Sequence, residues 1–523
     1  MPSRGVSDLS LEQRVGQLFM AGFDGTEPTA AVRELIREYN LGGVIYFARN
    51  VDAPGQVASL SSTLQAVATA TGAGSPLLIA TDQEGGVVSR LDWGTQLPSQ
   101  MLLGAAGDPD LARGAGEAVG RELATVGINM NFAPVLDVNN NPDNPVIGVR
   151  SFGESPDLVG DLGVAMAEGM QSTGVLACGK HFPGHGDTST DSHVDLPVVD
   201  HDTDRLERVE FAPFRQAIAA GIDAIMTTHV SFPAITDDET LPATVSPAVQ
   251  TGLLRESFGY DGVVITDCLE MDAIAGGLGV PEGAVRAIEA GCDVVLVSHT
   301  PERQRAAIEA VVEAVESGRI DEGRIDESVR RVQRVKRERG LADSTTESWA
   351  AQAPASKLMA TEVAERGVTL VRNDREVIPF DPSRPLHVVG FTGTRGSSAE
   401  DDRYEPTVVF EALSKCGVEV RPQTVSEPES LDPAFGPDDQ VLAVSYDARA
   451  SAEQAAALQR VCDTQAAVAV LAVRNPYDAA VCPADATVLT CYDYSPAAVA
   501  AAARVLIGAV DATGALPVTL PAA

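Results

Sequence analysis

From about residue 12 to 340 the chain alternates short apolar, β-branched runs with amphipathic stretches of helical period. The clearest runs are GGVIYF (42–47), PLLIATD (76–82), INMNFAPVLDV (128–138), GVLACGKHFPG (174–184), DAIMTTHV (223–230), GVVITDCLE (262–270) and DVVLVS (293–298). Between them EPTAAVRELIREYN and DRLERVEFAPFRQAIAAG read as helices, the second ending on a glycine suited to a left-handed cap. Strands that are apolar on both faces predict parallel pairing under a cover of helices. Polar residues fall at the C-terminal ends of these runs: Asp82, Asp137, Lys180, His181, His229 and Asp267. In a (β/α)8 barrel such ends converge on one face, where a site can be built. A doubly wound sheet also keeps ligands at strand ends, but no GxGxxG follows a first strand, so the barrel is the expectation.

A helix, DESVRRVQRVKRERG, closes this region, and residues 341–356 (LADSTTESWAAQAPAS) are polar, small and non-periodic, which predicts a linker. A second βα pattern follows, with RPLHVVGFTG, QVLAVSYDA, AAVAVLAVRNP and ATVLTCYDYS as strands and PAAVAAAARVLIGA as the last helix. The expected division is a barrel over 1–340, a linker over 341–356 and a smaller α/β sandwich over 357–523, since 523 residues exceed what one core usually serves.

Composition narrows the partners. A formal charge of −36 argues against nucleic acid or an anionic membrane face, both of which need basic patches, and favours a neutral or small-molecule substrate. The start of the chain has no apolar segment behind a basic one, and no run is long enough to cross a bilayer, so the cytoplasm is the expected address. Seven scattered cysteines, never spaced as CxxC, argue against a disulfide framework or a structural zinc site.

Candidate chemistry concentrates in KHFPGHGDTSTDSH (180–193), which holds three of the seven histidines with two aspartates and a lysine. Asp191 and His193 are two apart, so in extended chain they project to one side, where the carboxylate can fix the imidazole's tautomer and raise its basicity. Such a pair suits general acid and base catalysis. Asx turns are the plainer reading, and His181, His185 and His193 with the aspartates also resemble a metal-ligand set. Asp267, directly after four strand residues, can act as a nucleophile or a ligand, or simply cap the next helix.

KHFPGHGDTSTDSH, TDQEGGVVSRL (81–91), NFAPVLDVNNNPDNPVIGVRSFG (131–153), MTTHVSFPA (226–234) and VVITDCLEM together resemble the family 3 glycoside hydrolases, in particular their β-N-acetylhexosaminidase branch. The second region, with AERGVTLVRND near its start, resembles the sandwich of the two-domain members. The resemblance implies a retaining exo-acting β-N-acetylglucosaminidase that needs no metal or cofactor, with Asp267 as nucleophile, His193 as acid/base and Asp191 as its partner. It implies sugar-binding roles for Asp82, Arg90, Arg150, Lys180 and His181 and no catalytic role for Glu84, while Asp137 and His229, at strand ends beside the site, read as supports of those residues. Cys268 departs from close relatives, where an acidic residue often follows the nucleophile. A β-glucosidase or phosphorylase of the same family is the nearest alternative, because a neutral histidine does not repel phosphate. A zinc-dependent barrel hydrolase using His181, His185, His193 and Asp267 is the alternative of another class, against which the missing HxH counts.

Lysine is almost absent: four lysines stand among 38 basic residues, against 74 acidic ones. This resembles proteins from organisms that keep molar salt in the cytoplasm, and predicts a halophilic enzyme; arginine-rich codon usage is the plainer alternative.

Overall fold

The computed structural model describes residues 5–71, 74–190, 196–340, 349–393, 397, 399–400 and 404–522. Eight parallel strands close into a barrel: β1 (Phe19–Ala21), β2 (Gly43–Tyr46), β3 (Leu78–Thr81), β4 (Met130–Asn131), β5 (Leu176–Phe182), β6 (Ala224–Thr227), β7 (Val263–Cys268) and β8 (Val294–Val297). Each pairs with its sequence neighbours, and β1 with β8 closes the ring. Seven of the strands lie within the apolar runs; β1 does not, because at three residues it reads as the tail of the preceding helix.

Alternation along the strands sets the site. Leu78 and Ala80, Leu176 and Cys178, and Val263 and Ile265 belong to the packed barrel interior. The same period of two carries Asp82, Lys180 and Asp267 onto the next inward layer, at the C-terminal mouth. The opposite end is closed by Val332 and Val335 of the helix Glu322–Glu338, which join that interior cluster.

The stretch DRLERVEFAPFRQAIAAG forms two helices, Thr203–Arg208 and Ala212–Ala219, since Pro213 at the first turn of the second lacks the donor a continuous helix needs. Gly221 does take φ +80°.

Of the segment read as a linker, 341–348 lie outside the described residues, and Trp349 to Ser356 open the helix Trp349–Gly367. Pro354 inside that helix breaks the periodic pattern that would have revealed it. A six-stranded sheet follows: β9 (Thr369–Arg372), β10 (Leu386–Phe391), β11 (Val420–Val425), β12 (Gln440–Ser445), β13 (Ala467–Ala472) and β14 (Thr487–Thr490), in the order β9-β14-β13-β12-β10-β11. Only β9 runs antiparallel to its neighbour. The two regions are in tight contact: Asp493 accepts the Ser99 amide at 2.6 Å, and Pro517 accepts that of Glu154 at 3.0 Å.

Candidate active site

The barrel mouth opens into a pocket of about 550 Å³, with a floor of Ile45, Phe132, Met226 and Leu296 from the barrel interior. Asp82, Glu84, Arg90, Arg150, Lys180, His181 and Asp267 all line it. The strand ends thus bring together the residues that the sequence had spread over 186 positions, from Asp82 to Asp267.

One side is a buried charge network. Lys180 Nζ stands 2.7 Å from Asp82 and 2.6 Å from Glu84. Glu84 also accepts both prongs of the Arg150 guanidinium, at 2.8 Å each. Burial pushes the Glu84 carboxyl up, but Arg150 and Lys180 outweigh it and hold the group well below the usual carboxylate range. For Lys180 burial pulls the ammonium down, and Asp82 and Glu84 reverse the sign, so it stays charged. Arg90 lies 3.8 Å from Asp82, close enough to extend the network. Glu84, read from sequence as having no catalytic role, is the hub that orders two of the proposed sugar-binding cations.

The second cluster is organised by Asp137, which is fully buried. It accepts the His185 amide at 2.7 Å and faces His181 Nδ1 at 2.7 Å. A carboxylate beside Nδ1 draws the ring proton there, leaving His181 Nε2 as the free acceptor, 3.5 Å from Arg150. Burial pushes Asp137 up while His181 and His185 pull it further down, so the net value is lowered. His185 is pushed down to about 4, first by burial and then by His181, and its Nδ1 meets the Thr188 hydroxyl at 2.9 Å.

Asp267 is the penultimate residue of β7, half-buried, with its own carboxylate accepting the Cys268 amide at 2.7 Å. His229 holds the next peptide: Nε2 lies 3.0 Å from the Cys268 carbonyl, which can only accept, and Nδ1 meets Thr244 at 2.7 Å. Burial raises the Cys268 thiol to about 11, which leaves it a neutral wall residue.

The remaining wall escaped the sequence reading. Phe47 and His299, on the loops after β2 and β8, stack with ring centres 5.4 Å apart, and Arg49 sits 4.5 Å over the Phe47 ring. Glu270 accepts the His299 amide at 2.6 Å. Glu400 reaches the pocket from the second sheet region, pairing with Arg474. Phe47 ended a recognised run, but nothing local marks Glu400, whose place depends on how the two regions meet.

Asp191 and His193 lie outside the described residues. Among the described residues no three His, Cys, Asp or Glu side chains converge as a metal cage, and His181 and His185 each spend Nδ1 on Asp137 and Thr188. What the described groups can do is grip a polyhydroxylated ring through charge-assisted hydrogen bonds and present a carboxylate to it.

The sequence profile of the glycosyl hydrolase family 3 N-terminal domain matches residues 10–335. Beta-hexosaminidase A of Pseudoalteromonas piscicida is 31% identical over 98% of this chain and 97% of its own. The beta-hexosaminidase of Thiobacillus denitrificans is 39% identical over 53% of this chain and 77% of its own. Among solved structures, a glycoside hydrolase family 3 β-N-acetylglucosaminidase from Paenibacillus sp. str. FPU-7 superposes with a TM-score of 0.93 at 45% identity, covering 98% of this chain and 100% of that one.

Proposed function

Since this chain belongs to glycosyl hydrolase family 3, we propose that it is a retaining exo-β-N-acetylglucosaminidase, releasing terminal β-linked N-acetylglucosamine from a small or oligosaccharide substrate. Asp267 attacks the anomeric carbon, forming a glycosyl ester as the bond to the leaving oxygen breaks. His193, held by Asp191, gives that oxygen its proton. It then takes a proton from the water that displaces Asp267, restoring the β configuration. Lys180, Asp82, Arg90, Arg150 and His181 hold the sugar hydroxyls and fix the ring against Asp267.

The observation that carries this reading is the placement of Asp267 in one pocket with the Lys180, Asp82 and Glu84 network. A lone strand-end carboxylate caps helices; one facing ordered cations and a hydroxyl-binding carboxylate is placed for glycosyl transfer. A panel of aryl β-glycosides, assayed with and without phosphate while the product anomer is followed, tests it. N-acetylglucosaminides should be cleaved first, giving the β-anomer at a rate independent of phosphate. Preference for glucosides, or appearance of a sugar 1-phosphate, would replace the reading with a β-glucosidase or a phosphorylase.

Two further expectations belong to the same proposal. The cytoplasm is the proposed address, which seven scattered cysteines never spaced as CxxC suit. The acidic, lysine-poor composition supports work in molar salt.

A further inference from the structure

The segment between β4 and the helix Pro156–Ser172 delivers Arg150 to the pocket, and the second region touches it at Asn139, Asp143 and Gly148, in order along the chain. Buried Asn139 Nδ2 donates to the Tyr477 hydroxyl at 2.9 Å. Arg449 donates to Asp143 at 2.8 Å. Gly148 takes φ +45°, and a Cβ there would lie 2.9 Å from Asn475 Oδ1, so the chain passes flush against that side chain. Asn475 is itself fixed, donating to Asp447 at 2.8 Å. The barrel holds the same segment as well: Asn144 Nδ2 donates to the His185 and Gly186 carbonyls at 2.9 Å each, and Gln100 Nε2 donates to the Arg150 carbonyl at 2.5 Å.

We propose that the face formed by Arg449, Asn475 and Tyr477 positions Arg150 for the sugar, so that the second region braces the glycone site besides lending Glu400 to the pocket wall. Arg150 must meet two demands at once: both prongs on Glu84, and an approach to the sugar beside His181. A guanidinium fork loses its geometry with small backbone shifts, whereas a point charge does not. The barrel fixes the segment at Asn144 and at the Arg150 carbonyl, and three contacts from the loops after β12 and β13 hold the stretch before and between those points. The inference rests on the sugar-binding reading of Arg150.

A double-mutant cycle separates bracing from plain stabilisation, because a residue acting through Arg150 has no effect once the guanidinium is gone. Tyr477→Phe and Asn139→Ala remove the same hydrogen bond from opposite sides. With an aryl N-acetyl-β-glucosaminide each should raise KM by about three- to tenfold, the range one such bond spans, with kcat held within about twofold. In an Arg150→Lys background, which keeps a cation against Glu84 but not the fork, neither should change KM further. Equal KM effects with and without the Arg150 guanidinium overturn the brace, as does a fall in thermal midpoint with KM unchanged. A normal KM for Arg150→Lys itself overturns the sugar-binding reading first, and the brace with it.

Discussion

Glu84 shows how far single residues could be read from sequence. Its neighbours Asp82, Lys180 and Asp267 were legible because a period of two, carried along an apolar strand, points each inward at the barrel mouth. Glu84 lies in the short strand Gln83–Gly85, two places on from Asp82, and its worth comes from two cations 66 and 96 positions away. Glu84→Gln should therefore leave two buried cations short of a carboxylate, cost about 3–5 kcal/mol of stability, and weaken substrate binding as well. Normal stability and KM in that variant would return Glu84 to the bystander that its sequence suggested. Lys336 is the contrasting case, a buried lysine that donates to Gln17 Oε1 at 3.1 Å and the Gly42 carbonyl at 2.9 Å, far from the site. Burial pulls its ammonium down to about 7. Its folded value lies below the unfolded one near 10.4, so between about pH 7 and 10 the unfolded chain binds more protons and stability from this group rises with pH. Lys336→Met should flatten the rise of Tm across that window, and an unchanged slope would show the lysine to be solvated.

Elements were easier to read than their ends. Seven barrel strands announced themselves as apolar runs, yet INMNFAPVLDV yields only Met130–Asn131 as strand, because Pro134 has no amide to donate and beyond it Val135 meets Lys180 only as an isolated bridge. The edge strand Val420–Val425 was invisible for a different reason: its middle residues are exposed and polar, as an unpaired edge requires. Packing of elements on backbone is likewise silent in sequence. The helix Gln100–Ala106 lies so close to the segment after Arg150 that a Cβ on Gly104 would stand 1.7 Å from the Phe152 carbonyl oxygen. Gly104→Ala should cost about 1–3 kcal/mol by overpacking and raise KM, as the displacement passes to Arg150 two residues earlier. A thermal midpoint and KM both equal to the parent's would mean that this contact relaxes freely.

At the scale of the molecule, charge dominates. Several exposed arginines are already committed to carboxylates: Arg319 meets Glu282 at 2.9 Å and Glu289 at 2.8 Å, and Arg305 meets Glu38 at 2.9 Å. The excess behind the net −36 is therefore unneutralised carboxylate, repelling over roughly 10 Å at 0.1 M salt and about 3 Å at 1 M. Tm and rate should both rise markedly from 0.1 to 3 M KCl; a flat or falling response would leave codon usage as the account of the composition. The two-domain outline was legible because each region carries its own strand and helix rhythm, while the contacts across them, Tyr477 to Asn139 among them, join positions 338 apart and leave no local trace. The central claim is that catalysis passes through an ester on Asp267. Its most direct test is to quench the enzyme with a slow fluorinated N-acetylglucosaminide bearing a good leaving group and map the adduct by mass spectrometry: one sugar per chain on the peptide containing Asp267 is the predicted result, and an adduct on another carboxylate, or an α-configured first product with no adduct, would contradict the account.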